Sequence, residues 1–249
     1  MTAIDLLHAH IETLKLHGIR QSLGERLQHA RDEQQGYDRF LGTVLEDEVR
    51  YRDNARIVRL IKSAGFRLAA SCEGVECSAQ RNLDKQTLLD LSTCRFVREG
   101  ANVLISGATG AGKTYLATAL GNAACRHGLS VQFMRMNTLL EKLILVRAQN
   151  SYLNLVRRLG VVDLLILDDF GIKPLAPQQY QDLYDILDER ADRKSTVLTT
   201  QLPVENWGEV ISDPVTCEAI TDRIVSRAIT LHLKGESYRK KPARKVDAN

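Results

Sequence analysis

No run of eighteen consecutive apolar residues occurs in this 249-residue chain, which excludes a membrane-spanning helix. The opening stretch, MTAIDLLHAHIETLKLHGIR, lacks the basic, apolar, small-residue order of a secretory signal, and Asp5 and Glu12 interrupt its apolar positions. A cytosolic, cytoplasmic protein without a membrane partner is expected. The five cysteines (Cys72, Cys77, Cys94, Cys125, Cys217) form no CxxC pair and no cluster with metal-ligand spacing, and their number is odd. They read as free, reduced thiols, so neither a disulfide framework nor a cysteine-based metal site is supported. No helix-turn-helix or zinc-finger pattern stands out, so little readout of base edges is expected. Charge of one sign is also scarce: the net charge is only +3, but it is uneven. From Arg223 to Lys245 eight Lys or Arg stand against Glu236, and from Arg135 to Arg158 five stand against Glu141. Such clusters fit a solvated surface or a polyanion contact equally well.

The length allows one α/β domain plus a smaller one. Residues 1–68 read as a small all-helical domain. Ile4, Leu7, Ile11, Leu14 and Ile19 recur at helical spacing, as do Phe40, Val44, Leu45 and Val49, and then Ile57, Leu60 and Ile61. Gly18 and Gly24 punctuate the first of these patterns. Residues 69–86 have no sustained period and read as a linker. From residue 87 to 240 the texture is that of an α/β domain. NVLIS (102–106), SVQFM (130–134), VDLLILD (162–168), STVLTT (195–200) and ITLHL (229–233) are strand candidates separated by helix-length segments, which implies a parallel sheet wrapped by helices. Residues 241–249 form a basic tail.

One loop of this domain carries chemistry. GATGAGKT, Gly107 to Thr114, matches G-x-x-x-x-G-K-[ST] at every fixed position, and it leaves a strand candidate and opens a helical pattern, as a phosphate loop must. Its glycines let backbone N–H groups face inward as an anion cradle at a helix N-terminus. Lys113 can reach the β- and γ-phosphates, and Thr114 can place its hydroxyl on Mg2+. Gly107, Ala108, Thr109, Gly110, Ala111, Gly112, Lys113, Thr114 and Tyr115 are the candidate nucleotide-binding residues. LLILDDFG (164–171) supplies a second half: Asp168, at the end of an apolar strand, can hold Mg2+, and Asp169 can orient a water. Thr200 ends the strand candidate at 195–200, and Gln201 follows it. If that strand lies between the other two, either side chain could sense the γ-phosphate or hold the water.

These residues resemble the AAA+ ATPases, and within them the IstB/DnaC group of insertion-sequence transposition helpers and helicase loaders. The resemblance rests on GATGAGKTYLATAL, LLILDDFG, TTQLP with a following NW, ITDRIVSRA and the late SYR (237–239), and covers residues 84 to 239. LDKQTLLDL and FVREGANVLISG are closer to IstB than to DnaC. The resemblance implies a five-stranded parallel sheet in the order 5-1-4-3-2. It also implies a homo-oligomer on DNA with ATP between subunits, completed by an arginine from the neighbour. Arg223 matches that arginine, and Arg227 lies one helical turn further on. Two departures are visible. Asp169 stands where most AAA+ proteins have Glu, and so little follows the fifth strand that no C-terminal helical lid domain is expected.

Between the second and third strand candidates, residues 134–160 are long enough for two helices, and Lys142, Arg147, Arg157 and Arg158 are candidate contacts to DNA phosphates. The function expected is a DNA-stimulated ATPase that uses ATP and Mg2+, assembles on duplex DNA, and acts with a transposase as its partner. The alternatives are a helicase loader with a preference for single strands, and a nucleotide-gated scaffold that does not hydrolyse ATP.

Overall fold

The computed structural model of the protein describes residues 3–235, 237 and 238, so the basic tail and Arg239 of the SYR stretch lie outside the described residues. The chain divides into two compact units, Met1–Arg59 and Leu60–Asn249.

The first unit is helical: α1 (Ala3–Thr13), α2 (His17–Asp32) and most of α3 (Tyr37–Ala64). Its core is a narrow seam of Ile11, Ile19, Leu23 and Val44. Ile4, Leu7, Leu14, Leu45 and Val49, which share the apolar periodicity, are exposed. A unit of this length buries one seam and leaves the rest of each apolar stripe outside. The two punctuating glycines do not break helices here. Gly24 is inside α2, and Gly18 is in its first turn, where the buried Glu48 carboxylate of α3 accepts from the N–H groups of Gly18 (2.7 Å) and Ile19 (3.2 Å). A carboxylate on those unpaired N–H groups caps the helix from a distance in sequence. Arg26 grips Asp47 with two hydrogen bonds of 2.7 and 2.9 Å, which hold the Asp47 carboxyl down at about 2.

In the second unit, α4 (Lys85–Ser92) and the short α5 (Arg95–Arg98) lead into β1 (Asn102–Gly107). There follow α6 (Lys113–Arg126), β2 (Val131–Arg135), α7 (Met136–Ala148), α8 (Tyr152–Val161), β3 (Leu164–Phe170), α9 (Pro177–Arg190), β4 (Ser195–Thr200), α10 (Pro214–Val225) and β5 (Ala228–Leu233). All pairings are parallel and the order is β2-β3-β4-β1-β5, the expected 5-1-4-3-2 read from the other edge. Strand alternation builds a core on each face. Leu164 and Ile166 of β3 pack with Leu116, Leu120 and Phe133 on one side, while Leu165 and Leu167 pack with Leu139, Leu159, Ile186 and Trp207 on the other. This two-sided burial is why β3 reads as a continuous apolar run.

The stretch 69–86 is laid against the sheet unit. It forms 3-10 turns at Cys72–Gly74 and Ala79–Arg81, and Ala70, Arg81 and Leu83 are buried. Isolated apolar residues pin it, so it carries no period for a sequence pattern to reveal.

Candidate nucleotide-binding site

The site lies where β1, β3 and β4 end. β1 stops at Gly107, the loop turns, and α6 begins at Lys113 with Gly112 as its cap. Gly112 has φ 97°, in the left-handed region that favours glycine, and it leads into the N-terminus of α6, the helix end that attracts an anion. Lys113 is buried, and its ammonium donates to the carbonyls of Gly107 (2.7 Å) and Ala108 (2.9 Å), at the start of the same loop. Thr109, Gly110, Ala111, Gly112, Lys113, Thr114 and Tyr115 line a cleft of about 590 Å³, a size suited to a small-molecule ligand.

Asp168 is fully buried beneath the loop. Its carboxylate accepts from the Thr114 hydroxyl at 3.0 and 3.1 Å and from the Thr199 hydroxyl at 2.6 Å. Burial and the neighbouring charge of Asp169 push its pKa up, against the pull of the two hydroxyls. Asp169 has φ 63°, and its N–H donates to the same Thr199 hydroxyl at 2.9 Å. The register explains both contacts. Leu167 pairs with Leu198 and Phe170 with Thr200, so two aspartates on β3 stand opposite Thr199 alone. A bulge of this kind re-aims side chains that a regular strand would send to opposite faces. Asp169 joins the cleft lining, with Arg135 Nε 3.9 Å from its carboxylate.

β4 does lie between β1 and β3, but its polar residues divide differently from the sequence expectation. Thr200 is absent from the cleft lining, and its hydroxyl accepts from Leu202 N–H at 3.0 Å, a strand-end turn. Thr199 is the hydroxyl on Asp168, one pleat earlier. Gln201 reaches the cleft, where its carbonyl accepts from Thr109 Oγ1 at 2.6 Å.

The other candidates are farther off. Arg223, on α10, stacks 4.4 Å over the Tyr184 ring and bonds Asp188 with Nε at 2.9 Å. That carboxylate pushes its pKa up. Its carbonyl accepts from Asn102 Nδ2 at 2.8 Å, which fixes it beside the first residue of β1. The phosphate loop leaves the last residue of that strand, roughly 17 Å away at the usual rise per residue. Arg227 pairs with Asp192 at 2.8 Å. On α7 and α8, Arg157 and Arg158 are exposed and Lys142 half-buried. Arg147 differs from them: it pairs with the buried Asp182 and lies 3.8 Å over the Tyr152 ring, so it ties α7 to α8 and α9 as a structural clamp.

A buried carboxylate, a threonine hydroxyl at the loop and a second acid lining the cleft are hard oxygen donors. They suit Mg2+, which takes few protein ligands and completes its shell with phosphate and water. Among the described residues no group of three or more His, Cys, Asp or Glu could hold a metal ion without such help.

Loop, acid pair and sheet order define a phosphate-loop nucleotide-binding domain of the AAA+ type. The family of IstB-like ATP binding proteins matches residues 9–246, and the chain belongs to it. It is 37% identical to the insertion sequence ATP-binding protein y4pL of Sinorhizobium fredii, over 94% of this chain and 96% of that one. It is 36% identical to the ATP-binding protein of insertion sequence IS1162 of Pseudomonas fluorescens, over 78% and 85%. Among solved structures, the DnaC helicase loader superposes with a TM-score of 0.55 at 21% identity, over 66% of this chain and 97% of that one, a likeness of fold. Among the described residues no helix is long and apolar enough to cross a membrane.

Proposed function

We propose that the protein is an ATPase that binds MgATP between subunits, assembles on duplex DNA with little regard for sequence, and in that state selects a target and stimulates the transposase of an insertion sequence. The observation that carries the ATPase reading is the meeting of Thr114, Asp168 and Thr199 beneath the phosphate loop. Backbone N–H groups of the loop and the N-terminus of α6 take the phosphates, and Lys113 exchanges the carbonyls of Gly107 and Ala108 for β- and γ-oxygens. Thr114 and Asp168 would hold Mg2+, which neutralises charge on those oxygens when bound. Asp169 orients a water for in-line attack on the γ-phosphorus and accepts its proton; the new P–O bond forms as the bond to the bridging oxygen breaks, and ADP and inorganic phosphate leave. Gln201, held by Thr109, lines the same cleft.

Arg223 supports the subunit-bridged arrangement. Its attachment to the far end of β1 keeps it from its own phosphate loop, and exchanging a partly exposed carboxylate for a neighbour's phosphate costs little. Exposed Arg157 and Arg158 supply sequence-independent phosphate contacts. The relatives' insertion-sequence context, over nearly the whole of both chains for y4pL, supports the transposition role.

The test is ATP turnover by the full chain, alone and with duplex or single-stranded DNA, with Lys113→Ala as blank. Stimulation by duplex is expected. Stimulation by single strands only would favour a helicase loader, and bound ATP without turnover would leave a nucleotide-gated scaffold.

A further inference from the structure

The cleft has two kinds of wall. Lys113, Thr114, Asp169 and Gln201 form a polar wall suited to phosphate and metal. The other wall is built from Leu68, Val75, Leu83 and Leu233, with Tyr238 and Arg81 among them. A triphosphate has no use for an apolar and aromatic surface, whereas a purine nucleoside does.

Tyr238 belongs to a segment that crosses the phosphate loop. Its N–H donates to the Gly110 carbonyl at 3.1 Å. A Cβ on Gly110 would come within 2.0 Å of Ser237 Oγ, so segment and loop are in direct contact. The stretch before α4 buckles the segment down. The Arg81 guanidinium lies 3.7 Å from the Tyr238 ring centroid, and the phenol donates to Glu76 Oε2 at 2.8 Å. Arg81 is itself buried, its carbonyl accepts from Lys234 N–H at 3.1 Å, and Asn82 Nδ2 donates to the His232 carbonyl at 2.9 Å. These links join Glu76, Arg81 and Asn82 to His232, Lys234 and Tyr238. Burial and the Glu76 bond push the Tyr238 phenol up to about 12, so it stays a neutral donor.

We propose that Ser237–Tyr238 is a strap closing the nucleoside half of the cleft, and that Tyr238 and Arg81 grip the bound purine nucleoside, a specificity element that rests on the ATP-binding reading above. The ring gives the base an aromatic surface, the guanidinium on the ring anchors that surface, and Glu76 fixes its tilt.

The experiment is calorimetric titration of the full chain with MgATP and, separately, with inorganic tripolyphosphate, which engages the phosphate wall alone. Tyr238→Ala is expected to weaken ATP about tenfold, or about 1.4 kcal/mol, with tripolyphosphate unchanged. Tyr238→Phe keeps the ring and loses the bond to Glu76, so a loss of about threefold on ATP alone is expected, within the range of one hydrogen bond. Arg81→Lys keeps the charge without the flat stacking face and should fall between the two. Equal weakening of both ligands would make the strap a brace for the loop and overturn the proposal, as would undiminished ATP binding by Tyr238→Ala. Lys113→Ala separates the two readings. It should lose both ligands. If it binds ATP as the unaltered chain does, the phosphate-loop reading falls and the strap falls with it.

Discussion

Replacing Asp168 with Asn separates what the site costs the fold from what it does for a ligand. Asp168 is fully buried beside a second carboxylate and is held by two hydroxyls. An asparagine of the same shape can accept from Thr199 through Oδ1 and donate to Thr114 Oγ1 through its amide, so both hydrogen bonds survive while the buried charge disappears. Relief of a functional site of this kind typically stabilises by about 0.5–2 kcal/mol. Taking about 1 kcal/mol, a domain of this size should melt roughly 2–4 °C higher without nucleotide. Trp207, the sole tryptophan, is buried with its ring 4.8 Å from that of Phe170, so its fluorescence reports unfolding of the sheet unit. The pH dependence has a definite sign. Because the folded pKa of Asp168 is raised above its unfolded value, the folded state takes up the proton first, and the cost of the ionised form disappears as pH falls through the folded pKa. The advantage of Asn should therefore be full at neutral pH and shrink in acid. Saturating MgATP should reverse the ranking, since a ligand at a hundredfold its Kd adds about 2.7 kcal/mol only to the chain that binds it. An Asn variant less stable than the unaltered chain at neutral pH, or an advantage that grows in acid, would refute the claim that this charge is stored for a ligand.

The remaining predictions concern the arginines. Arg223→Ala should lower turnover on the order of a thousandfold, as loss of an arginine that completes a phosphoryl-transfer site does, yet cost the fold only about 1 kcal/mol for a partly exposed pair. Mixing it with Lys113→Ala subunits should restore hydrolysis, since each supplies what the other lacks, and no recovery at any ratio would reject an arginine acting across subunits. Changing Arg157 and Arg158 together to Gln should weaken duplex binding and reduce the slope of log affinity against log salt by about 2; an unaltered slope clears both residues. Arg147→Gln should leave that slope nearly unchanged and lower stability by about 2 kcal/mol, because the buried Asp182 loses its cationic partner while the Gln178 amide, at 2.9 Å, carries no charge. A large change of slope with unchanged stability would return Arg147 to the DNA surface.

The parts of the molecule legible in the sequence are those written in local pattern. The strand runs at 102, 164 and 195 are apolar because both sheet faces are covered, the edge strands at 131 and 228 keep buried apolar residues among exposed ones, and each of the five was recognisable to within two residues at its start. The phosphate loop was equally legible, since its geometry demands glycines and a lysine at fixed spacing. What stayed hidden depends on partners far apart in the chain. Glu48 caps a helix thirty positions earlier, and Arg147 meets an acid thirty-five positions later. Neither position is distinguishable by composition from any other surface charge. The wall formed by Arg81 and Tyr238 joins segments more than 150 residues apart, one of them in a stretch without periodicity.

The exchange of Thr200 for Thr199 is the most instructive of these. Two threonines end β4, and a strand sends adjacent side chains to opposite faces, so the choice depends wholly on register. Register in turn depends on the bulge at Asp168 and Asp169, and the bulge depends on Asp169 adopting φ 63°, a conformation that Asp tolerates better than Glu because its short side chain can bond locally. Asp169 therefore does two things with one choice of residue. Its backbone turns the strand so that Thr199 meets both aspartates, and its carboxylate then lines the cleft. A glutamate would reach farther toward the phosphate, but it would fit this backbone less readily. The departure from the usual AAA+ residue thus has a structural reason within this chain, independent of how fast the protein turns over ATP.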